Sequence, residues 1–254
     1  MGKHRLWRAA LGIAALTVVV GIASLAFFWQ RPAAHAAGLY TTGAQGYDIS
    51  WPQCGGAYPA APYGYGIVGV TDGRAFSLNP CLASEYAWAQ SETGAGPLGL
   101  YMNLNYPAGT TAVMGQSGPY GSCKKNSACY TENYGWNAAQ YAFTQNGAAS
   151  PLTASMWWLD IETGNSWSKT TSLNADVIQG AIAYGQSKGV TIGVYSTPTQ
   201  WRAIAGTYTP SVPNWTAGAS ASNPSAICAT PLYSGGVVWL TQYVSGGFDV
   251  DYAC

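Results

Sequence analysis

Short apolar segments recur along the chain from residue 46 onward and predict the strands of a sheet. Each is rich in β-branched, aromatic or other apolar residues and is bounded by Gly, Pro, Asn or Ser, which is typical of strands. The eight predicted strands are Gly46–Ser50, Gly66–Val70, Leu98–Asn103, Met156–Glu162, Thr191–Tyr195, Asn214–Ala217, Val237–Tyr243 and Phe248–Asp251.

Between several of these strands, apolar residues instead recur at helical spacing. The predicted helices run from Asn79-Pro80 toward Gly94, from Tyr134 to Asn146, from Ser172 to Lys188-Gly189 and from Pro198 to Ala205. The third is the clearest, because Val177, Ile178, Ala181 and Ile182 form one apolar stripe and Gly189 follows its last turn.

The alternation of strand and helix indicates parallel strands joined by crossovers. The last three predicted strands have no good helix between them, and residues 107–133, rich in Gly, Ser and Tyr, are expected to be a long loop. Eight strands fit a single α/β domain with a TIM-type barrel. A doubly wound open sheet is the alternative, but its nucleotide-binding form needs G-x-G-x-x-G after the first strand, and that motif is missing there.

The N-terminus has the pattern of an export signal. Basic residues precede an uninterrupted apolar run from Ala9 to Trp29, and Ala34-His35-Ala36 offers an A-x-A cleavage site. We therefore expect a signal peptide over residues 1–36, with an uncleaved membrane anchor as the alternative because the run is long enough to span a bilayer. In both cases residues 37–254 are expected outside the cytoplasm, secreted or at the cell surface, with membrane contact only through this segment.

Charge is scarce and unevenly distributed. The chain has 10 Lys and Arg against 10 Asp and Glu, but four of the basic residues and both histidines precede residue 37. The remaining body is acidic, so nucleic-acid binding through a basic surface is disfavoured. Without histidine, the body cannot use Ser-His-Asp or Cys-His catalysis or a His-ligated metal. No cofactor is predicted.

Six cysteines agree with export: Cys54, Cys81, Cys123, Cys129, Cys228 and Cys254. An even number in an exported chain predicts disulfides, although six cysteines allow 15 pairings. Closeness in sequence and in the expected fold favours the pairs 54–81, 123–129 and 228–254. Zinc is disfavoured, because no C-x-x-C occurs and no histidine can assist.

Two carboxylates share one face of the strand Trp157-Trp158-Leu159-Asp160-Ile161-Glu162. With a period of two, Asp160 and Glu162 point to the same side among large apolar neighbours. Apolar surroundings and a nearby like charge both raise a carboxyl pKa. Such a pair can supply a general acid beside a base or a charge-stabilising group, so both residues are candidate catalytic groups.

Three further acids lie on strands that would end at the same face of the barrel. Asp249 and Asp251 share one side of the last strand, and Asp48 lies near the end of the first. Residues at the C-terminal ends of barrel strands converge on one cleft, so these are candidate supporting acids. The alternatives are turn-forming aspartates, or a calcium site for which the D-x-[DN]-x-[DN]-G spacing is missing. We predict no metal.

Aromatic and amide side chains next to these acids are candidates for sugar binding, since flat rings stack on the C–H faces of sugars and amides bind hydroxyls. The aromatic candidates are Trp51, Tyr101, Trp158, Tyr195, Trp215 and Tyr243. The amide candidates are Gln53, Asn103, Asn105 and Gln242.

The order of these motifs resembles glycoside hydrolase family 25, the muramidases or lysozymes that act on bacterial peptidoglycan. The matching segments are Gly46–Gln53 (G-x-D-x-S-x-x-Q), Gly99–Tyr101 (G-x-Y), Trp158–Glu162 (W-x-D-x-E), Gly193–Ser196 (G-x-Y-S), Gln242–Tyr243 (Q-Y) and Phe248–Asp251 (V-D-x-N in the family). The cysteines and the export signal suggest an exported, cysteine-containing subgroup.

The resemblance implies a barrel of five βα units followed by three strands that acts on peptidoglycan. We expect a monomer that needs no cofactor. It implies Glu162 as the catalytic acid and Asp160 as a second acid, with Asp48 and Asp249 as supporting cleft residues. The reaction would be hydrolysis of the β-1,4 bond between N-acetylmuramic acid and N-acetylglucosamine. Whether Asp160 attacks, activates water or positions the substrate's acetamido group stays open.

Some positions depart from the family pattern, and Asp251 replaces the usual asparagine. These departures keep two alternatives open. One is a non-catalytic protein that binds cell-wall glycan on the same fold, and the other is hydrolysis of a different polysaccharide.

Overall fold

Eight strands close into a barrel in the computed structural model, which describes residues 38–92, 97–144 and 153–254. The barrel strands are β1 (Gln45–Ile49), β2 (Tyr65–Gly69), β3 (Gly99–Asn103), β6 (Met156–Asp160), β7 (Ile192–Ser196), β8 (Pro213–Ala217), β9 (Val237–Ser245) and β10 (Phe248–Ala253). Two short strands, β4 (Ser117–Gly118) and β5 (Gly121–Ser122), form a separate hairpin. The helices are α1 (Leu82–Glu92), α2 (Ala128–Thr144), α3 (Thr171–Ser187) and α4 (Pro198–Ala205).

The predicted signal segment, residues 1–36, lies outside the described residues, as do the predicted helix ends at Gly94 and Asn146. Within the described part of the chain, no helix combines the length and the apolar character needed to cross a membrane.

The order of strands around the barrel is β1-β10-β9-β8-β7-β6-β3-β2. Strands β1 to β9 of the barrel pair in parallel, whereas β10 runs antiparallel to both β9 and β1. Because β1 pairs with β2 on one side and with β10 on the other, the sheet has no open edge. The TIM-type barrel is therefore confirmed, and the doubly wound open sheet is wrong.

Only four of the five expected crossover helices are α-helices in the described residues. They follow β2, β3, β6 and β7, while β1 is followed by a 3₁₀ turn, Trp51–Gln53. Residues 50–64 contain three prolines and several glycines, which disfavour a regular helix. The connection from β8 to β9 likewise holds only a 3₁₀ turn, Pro224–Ile227, as the sequence indicated.

The segment 107–133 is more ordered than the predicted loop. It contains a 3₁₀ helix, Gly109–Gly115, and the β4–β5 hairpin, and α2 begins at Ala128 instead of Tyr134. The Oγ atom of Ser127 accepts the N–H of Tyr130 at 3.2 Å, which satisfies a free donor in the first turn of α2.

One buried amide orders the hairpin against α2. Nδ2 of Asn133 donates to the carbonyl of Gly121 at 2.9 Å, and Oδ1 accepts the N–H of Tyr120 at 3.1 Å. The Cys123–Cys129 disulfide closes the same turn onto the helix. These contacts depend on how the hairpin folds back on α2, which composition does not reveal, so composition alone predicted a loop.

Two further disulfides join Cys54 to Cys81 and Cys228 to Cys254. All three pairs are those favoured by closeness in the sequence analysis. The second of them fastens the C-terminal residue, next to β10, to the segment that connects β8 and β9.

The apolar core has two parts, one between the barrel and its helices and one inside the barrel. The inner part consists mainly of large side chains, including Tyr65, Met156, Trp158, Trp215 and Leu240. Because side chains alternate across a strand, Trp157 packs outward on Phe143 of α2, with ring centroids 3.8 Å apart.

Glycines leave space for these large inner side chains. A Cβ at Gly46 would lie 2.4 Å from the Tyr65 ring, and a Cβ at Gly193 would lie 2.4 Å from the Trp158 ring. Each glycine is two residues before a residue of the predicted site, Asp48 or Tyr195. The motif glycines thus belong to the layer of the barrel beneath the site.

Helices α2 and α3 cross at a pair of glycines. A Cβ at Gly180 would lie 2.0 Å from the carbonyl oxygen of Glu132, and a Cβ at Gly135 would lie 1.9 Å from that of Val177. Backbone is on the other side of each contact, so a side chain could be accommodated only if the helices moved apart.

We expect Gly180→Ala to lower the free energy of unfolding by about 1–3 kcal/mol, because overpacking at a backbone contact forces the helices apart. Gly164→Ala is the matched control, since nothing lies within 4 Å of the Cβ it would add. Urea unfolding followed by tryptophan fluorescence measures both. Equal stability of the Gly180→Ala variant and the wild type would contradict the tight crossing.

Candidate active site

A pocket opens at the C-terminal end of the barrel, where parallel strands place their last residues. It is lined by Asp48, Tyr101, Asp160, Glu162, Tyr195, Trp215, Gln242 and Asp249. Strands β1, β3, β6, β7, β8, β9 and β10 all contribute to it. The closed barrel therefore brings together four of the five acids chosen from the sequence.

Strand β6 supplies the central pair of acids. β6 ends at Asp160, and Ile161 continues in extended pairing, with its N–H donating to the carbonyl of Tyr195 at 3.0 Å. Ile161 is fully buried on the outer side, whereas Asp160 and Glu162 both line the pocket. The predicted alternation of inward and outward side chains thus continues for two residues beyond the end of β6.

Asp160 is almost fully buried and is held by an amide. Nδ2 of Asn103 donates to Oδ2 of Asp160, and Thr71 in turn donates its hydroxyl to Oδ1 of Asn103 at 2.7 Å. Oδ1 of Asp160 has no hydrogen-bond partner. Burial, followed by the nearby Glu162 and Asp48, raises the pKa of Asp160 well above its usual range.

Glu162 is only half-buried and faces the opening of the pocket. Burial raises its pKa, a side-chain hydrogen bond with Gln200 of α4 partly opposes this, and the charge of Asp249 adds to it. Oε1 of Gln200 also accepts the N–H of Thr163 at 2.6 Å. Gln200 therefore holds the backbone that follows Glu162 and lies close enough to the Glu162 carboxyl to affect its pKa.

Asp48 lies across the pocket in a second hydrogen-bonded group. Nε2 of Gln242 donates to Oδ2 of Asp48 at 2.8 Å, and the hydroxyl of Tyr195 donates to Oε1 of Gln242 at 2.8 Å. Burial and the charge of Asp249 raise the pKa of Asp48 to about 8.

The antiparallel direction of β10 decides where its two aspartates lie. Asp249 is opposite Asp48 in the β1–β10 register, near the start of β10, and it lines the pocket. Asp251 is two residues further along and is fully buried inside the barrel, where Nε1 of Trp215 donates to its Oδ1 at 2.8 Å. Burial raises the pKa of both carboxyls.

All five acids have a raised pKa for the same main reason. Desolvation is the first cause of the raised pKa in each of them, and like-charge repulsion adds to it for every one except Asp249. Among the described residues that line the pocket there is no Lys, Arg or His. Such a site favours neutral, protonated carboxyls and can deliver a proton.

Of the residues predicted to bind sugar, Tyr101, Tyr195, Trp215 and Gln242 line the pocket. Trp51 is 44% exposed in the turn after β1, near the barrel mouth. Asn103 lies one step behind the pocket, against Asp160.

Three other candidates are not among the residues that line the pocket, so its geometry does not support their predicted contact with sugar. Trp158 is fully buried in the inner core, where its Nε1 donates to the Tyr40 hydroxyl at 3.3 Å. Tyr243 is nearly buried and adjoins Gln242 on the strand, so it points to the other side of β9. Gln53 turns back on its own backbone, accepting the N–H of Ser50 at 2.9 Å.

Asn105 lies in a neighbouring groove at the same end of the barrel, where its Oδ1 accepts the N–H of Ala75 at 2.9 Å. The sequence analysis did not identify Gln200 or Thr71, which hold Glu162 and Asn103. Neither residue belongs to a sequence motif. Each takes its role from a partner on another element, which the sequence pattern does not show.

Among the described residues, one group of Cys, His, Asp and Glu has ligand atoms close enough to hold a metal ion, namely Cys54, Cys81 and Glu85. Both sulfurs are in a disulfide, so they offer no thiolate. The acids that line the pocket are not in this group.

The sequence matches a family model and curated relatives that are all described as lysozymes or lysozyme-like proteins. The family model "Lysozyme-like protein 1" matches residues 128–225. A probable family 25 lysozyme from Dictyostelium discoideum is 46% identical over 54 residues, which are 21% of this chain and 25% of the relative. The chain thus spans about a quarter or less of the curated relatives that it matches.

Solved structures share the fold at low sequence identity. A family 25 lysozyme from Aspergillus fumigatus is 18% identical with a TM-score of 0.53, covering 84% of this chain and 95% of that one. The autolysin LytC from Streptococcus pneumoniae, in complex with a synthetic peptidoglycan ligand, is 14% identical with a TM-score of 0.50, covering 84% and 49%. The chain is thus similar to lysozymes of family 25 over short stretches of sequence, and it shares their fold.

The raised pKa values make stability depend on pH. A carboxyl with a higher pKa in the folded state binds more protons there than in the unfolded chain, so its contribution is complete in acid and is lost as pH rises. For Asp48 the stability is lost over a pH range that begins at its ordinary pKa of 3.8 and ends at its pKa in the folded protein, about 8. We expect the free energy of unfolding to fall between about pH 5 and 8 by more than the roughly 1.4 kcal/mol of one pKa unit.

Urea titrations at several pH values measure this slope. Asp48→Asn is expected to flatten the slope, while Asp72→Asn, outside the pocket, is expected to leave it unchanged. A stability that increases steadily from pH 5 to 8 would show that the site does not retain its protons.

Proposed function

We propose that this chain is a secreted peptidoglycan hydrolase, an N-acetylmuramidase that cleaves the β-1,4 bond between N-acetylmuramic acid and N-acetylglucosamine. The observation that carries the proposal is the convergence of Asp48, Asp160, Glu162 and Asp249 on one pocket whose described lining residues include no cation. The similarity to lysozymes of family 25 supports the substrate class.

Glu162 is the proton donor in this proposal. Its carboxyl is half-buried, its pKa is raised by burial, and Gln200 holds the backbone of the next residue, Thr163. A carboxylic acid that keeps its proton near neutral pH can protonate the glycosidic oxygen as the bond to the sugar breaks. Glu162 lies nearer the opening of the pocket than Asp160. It can therefore reach a glycosidic bond in a glycan chain that lies across the pocket mouth.

Asp160 is the second acid, located deeper in the pocket. Asn103 fixes its orientation, and its Oδ1 atom has no hydrogen-bond partner in the protein. An unpartnered, buried carboxyl oxygen in a pocket is available to substrate. We propose that it orients the sugar or stabilises the positive charge that develops at the anomeric carbon.

Aromatic rings on three strands form the sugar-binding wall. Tyr195 packs on Trp215 with ring centroids 4.5 Å apart, and Tyr101 contacts the same tryptophan at 6.3 Å. Rigid rings lose little conformational entropy when a sugar stacks on them. Trp51, outside the pocket, extends this surface toward the next sugar of a polymer.

Export supports the same substrate, since peptidoglycan lies outside the cytoplasm. The proposal takes residues 1–36 as a signal peptide, or alternatively as a membrane anchor, and residues 37–254 as the hydrolase. The three disulfides support an oxidising compartment.

Glu162→Gln is expected to reduce the release of reducing ends from bacterial cell walls by about 10²- to 10⁴-fold, the usual contribution of a general acid. Glu132→Gln on α2 is the matched control and is expected to retain wild-type activity. Product analysis is expected to find N-acetylmuramic acid at the new reducing end. Equal release by the wild type and Glu162→Gln would exclude Glu162 as the acid.

Other outcomes distinguish the alternative functions. Tight binding of cell walls by the wild type without any release of reducing ends would favour the non-catalytic glycan-binding protein. Release from other polysaccharides but not from peptidoglycan would overturn the proposed substrate.

Trp51→Ala is expected to raise KM for soluble peptidoglycan fragments by roughly 2- to 10-fold while kcat changes little, because stacking is worth about 0.5–1.5 kcal/mol. Trp51→Phe, which retains a ring, is expected to keep most of the affinity. The side chain is 44% exposed, so neither variant is expected to lose stability. Unchanged KM in Trp51→Ala would remove this residue from the binding surface.

A further inference from the structure

A second groove, the Arg74 groove, opens beside the active-site pocket at the same end of the barrel. It lies between the loops that follow β2, β3 and β6, and its lining includes Arg74, Asn105, Thr110, Asn165 and Ser166. Its volume is about 480 Å³, compared with about 120 Å³ for the pocket of acids. The Arg74 groove is therefore within the usual size range of a ligand site.

The backbone joins the Arg74 groove to the active site. Asn165 follows Glu162 closely in the chain, and its N–H donates to the carbonyl of Glu162 at 3.1 Å. The loop after β3 closes on the same segment, because the N–H of Tyr106 donates to the carbonyl of Ser166 at 2.8 Å. A substituent on a sugar bound beside Glu162 thus has the Arg74 groove next to it.

The charge of the Arg74 groove is opposite in sign to that of the acids. Arg74 is exposed, and it is the one charged residue among the described residues that line the groove. Its guanidinium has no hydrogen bond or ion pair with any residue in the described part of the chain. A free guanidinium offers five N–H donors in a fork that matches a carboxylate.

Other polar side chains of the groove are free as well. Thr110, Asn165 and Ser166 make no side-chain hydrogen bond within residues 38–92, 97–144 and 153–254. They place hydroxyl and amide groups beside the guanidinium. A peptide with a free carboxylate has the acceptors for both kinds of donor, namely its carbonyls and its charged end.

The loop that carries Arg74 is held by its neighbours. The backbone N–H after Arg74 donates to Oδ1 of Asn105 at 2.9 Å, and the hydroxyl of Ser77 donates to the carbonyl of Arg74 at 2.6 Å. Phe76 has a φ of 58°, which is unfavourable for a residue with a side chain, and its ring packs against an aromatic ring of α2. Because the loop is already ordered, less conformational freedom is lost when a ligand binds.

We propose that the Arg74 groove binds the peptide that peptidoglycan carries on N-acetylmuramic acid, with Arg74 pairing with a carboxylate of that peptide. The inference rests on the proposed function, because it takes the sugar of such a unit to occupy the pocket of acids. The peptide is attached to the lactyl group of muramic acid, and its free carboxylates are missing from plain polysaccharides. The groove therefore selects peptide-bearing glycan over bare glycan.

Binding of a disaccharide product tests the groove without hydrolysis. The two ligands are N-acetylglucosaminyl-N-acetylmuramic acid with its tetrapeptide and the same disaccharide without peptide, whose lactyl carboxylate is free. Isothermal titration calorimetry is expected to show about 3- to 10-fold tighter binding of the peptide-bearing ligand by the wild type, as for a charge-assisted hydrogen bond at a partly exposed site. Equal affinities, or tighter binding of the bare disaccharide, would overturn the proposal.

Arg74→Gln is expected to remove this difference and to leave the affinity for the bare disaccharide unchanged. Arg74 is exposed and its guanidinium makes no described contact, so the variant is expected to fold. Lys188→Gln is the matched control, because it removes the same charge after the end of α3, at the opposite end of the barrel, and it is expected to behave as the wild type. If Arg74→Gln weakens the bare disaccharide instead, the guanidinium binds the lactyl carboxylate and the assignment to the peptide is wrong.

Asn165→Asp tests the same groove from another wall. The new carboxylate has nearly the shape of the amide, but it competes for Arg74 and repels an anionic ligand. The preference for the peptide-bearing disaccharide is expected to disappear. An unchanged preference would exclude the Arg74 groove as the binding site.

Hydrolysis gives a separate readout. Arg74→Gln is expected to raise KM for peptide-bearing glycan chains by the same factor with little change in kcat, and to leave KM for chains freed of peptide unchanged. A lower kcat with unchanged KM would contradict a binding role. Absence of hydrolysis in the wild type would contradict the proposed function, and the disaccharide titrations would still confirm or refute the peptide site.

Discussion

Desolvation of carboxyl groups at the mouth of a closed barrel is the constraint on which the site depends. Five acids lie within or beneath one pocket, and none of the described residues that line it is a cation. Burial disfavours their charged forms, and for most of them the close approach of like charges adds to this. The site thus favours protonated carboxyls. Amide and indole donors orient three of them, Asp48, Asp160 and Asp251.

The barrel produces this condition through its inner core. Large aromatic side chains fill the barrel below the acids and exclude water from beneath them, and glycines in the adjoining strands make room for those rings. Amide side chains then set the orientation of the carboxyl groups. Asn103 contacts Asp160, Gln200 contacts Glu162, and Gln242 contacts Asp48. The difference in burial between Asp160 and Glu162 separates two chemically identical groups into a deep acid and a proton donor near the opening in the proposed mechanism.

β10 shows how topology assigns function to a repeated motif. In a parallel strand the later of two inward residues would lie nearer the mouth of the barrel. Because β10 is antiparallel, the earlier residue, Asp249, lines the pocket, and the later one, Asp251, is buried in the core. The same D-x-D spacing therefore yields one acid exposed to substrate and one enclosed by apolar side chains.

The sequence by itself determined the barrel, the positions of its eight strands and the carboxyl pair on β6, because strand periodicity and the order of motifs are local properties of the chain. It could not separate Tyr243 from Gln242, since that depends on which face of β9 turns inward. It could not place Trp158 in the core instead of the pocket either, because Trp158 shares the inner face of β6 with Asp160 and differs from it only in depth within the barrel. Gln200, Thr71 and Asn133 were not identified for a related reason. The partners of Gln200 and Thr71 lie more than 30 residues away in the chain, and those of Asn133 lie in a hairpin that folds back on α2. Only the tertiary structure brings these polar atoms within hydrogen-bonding distance.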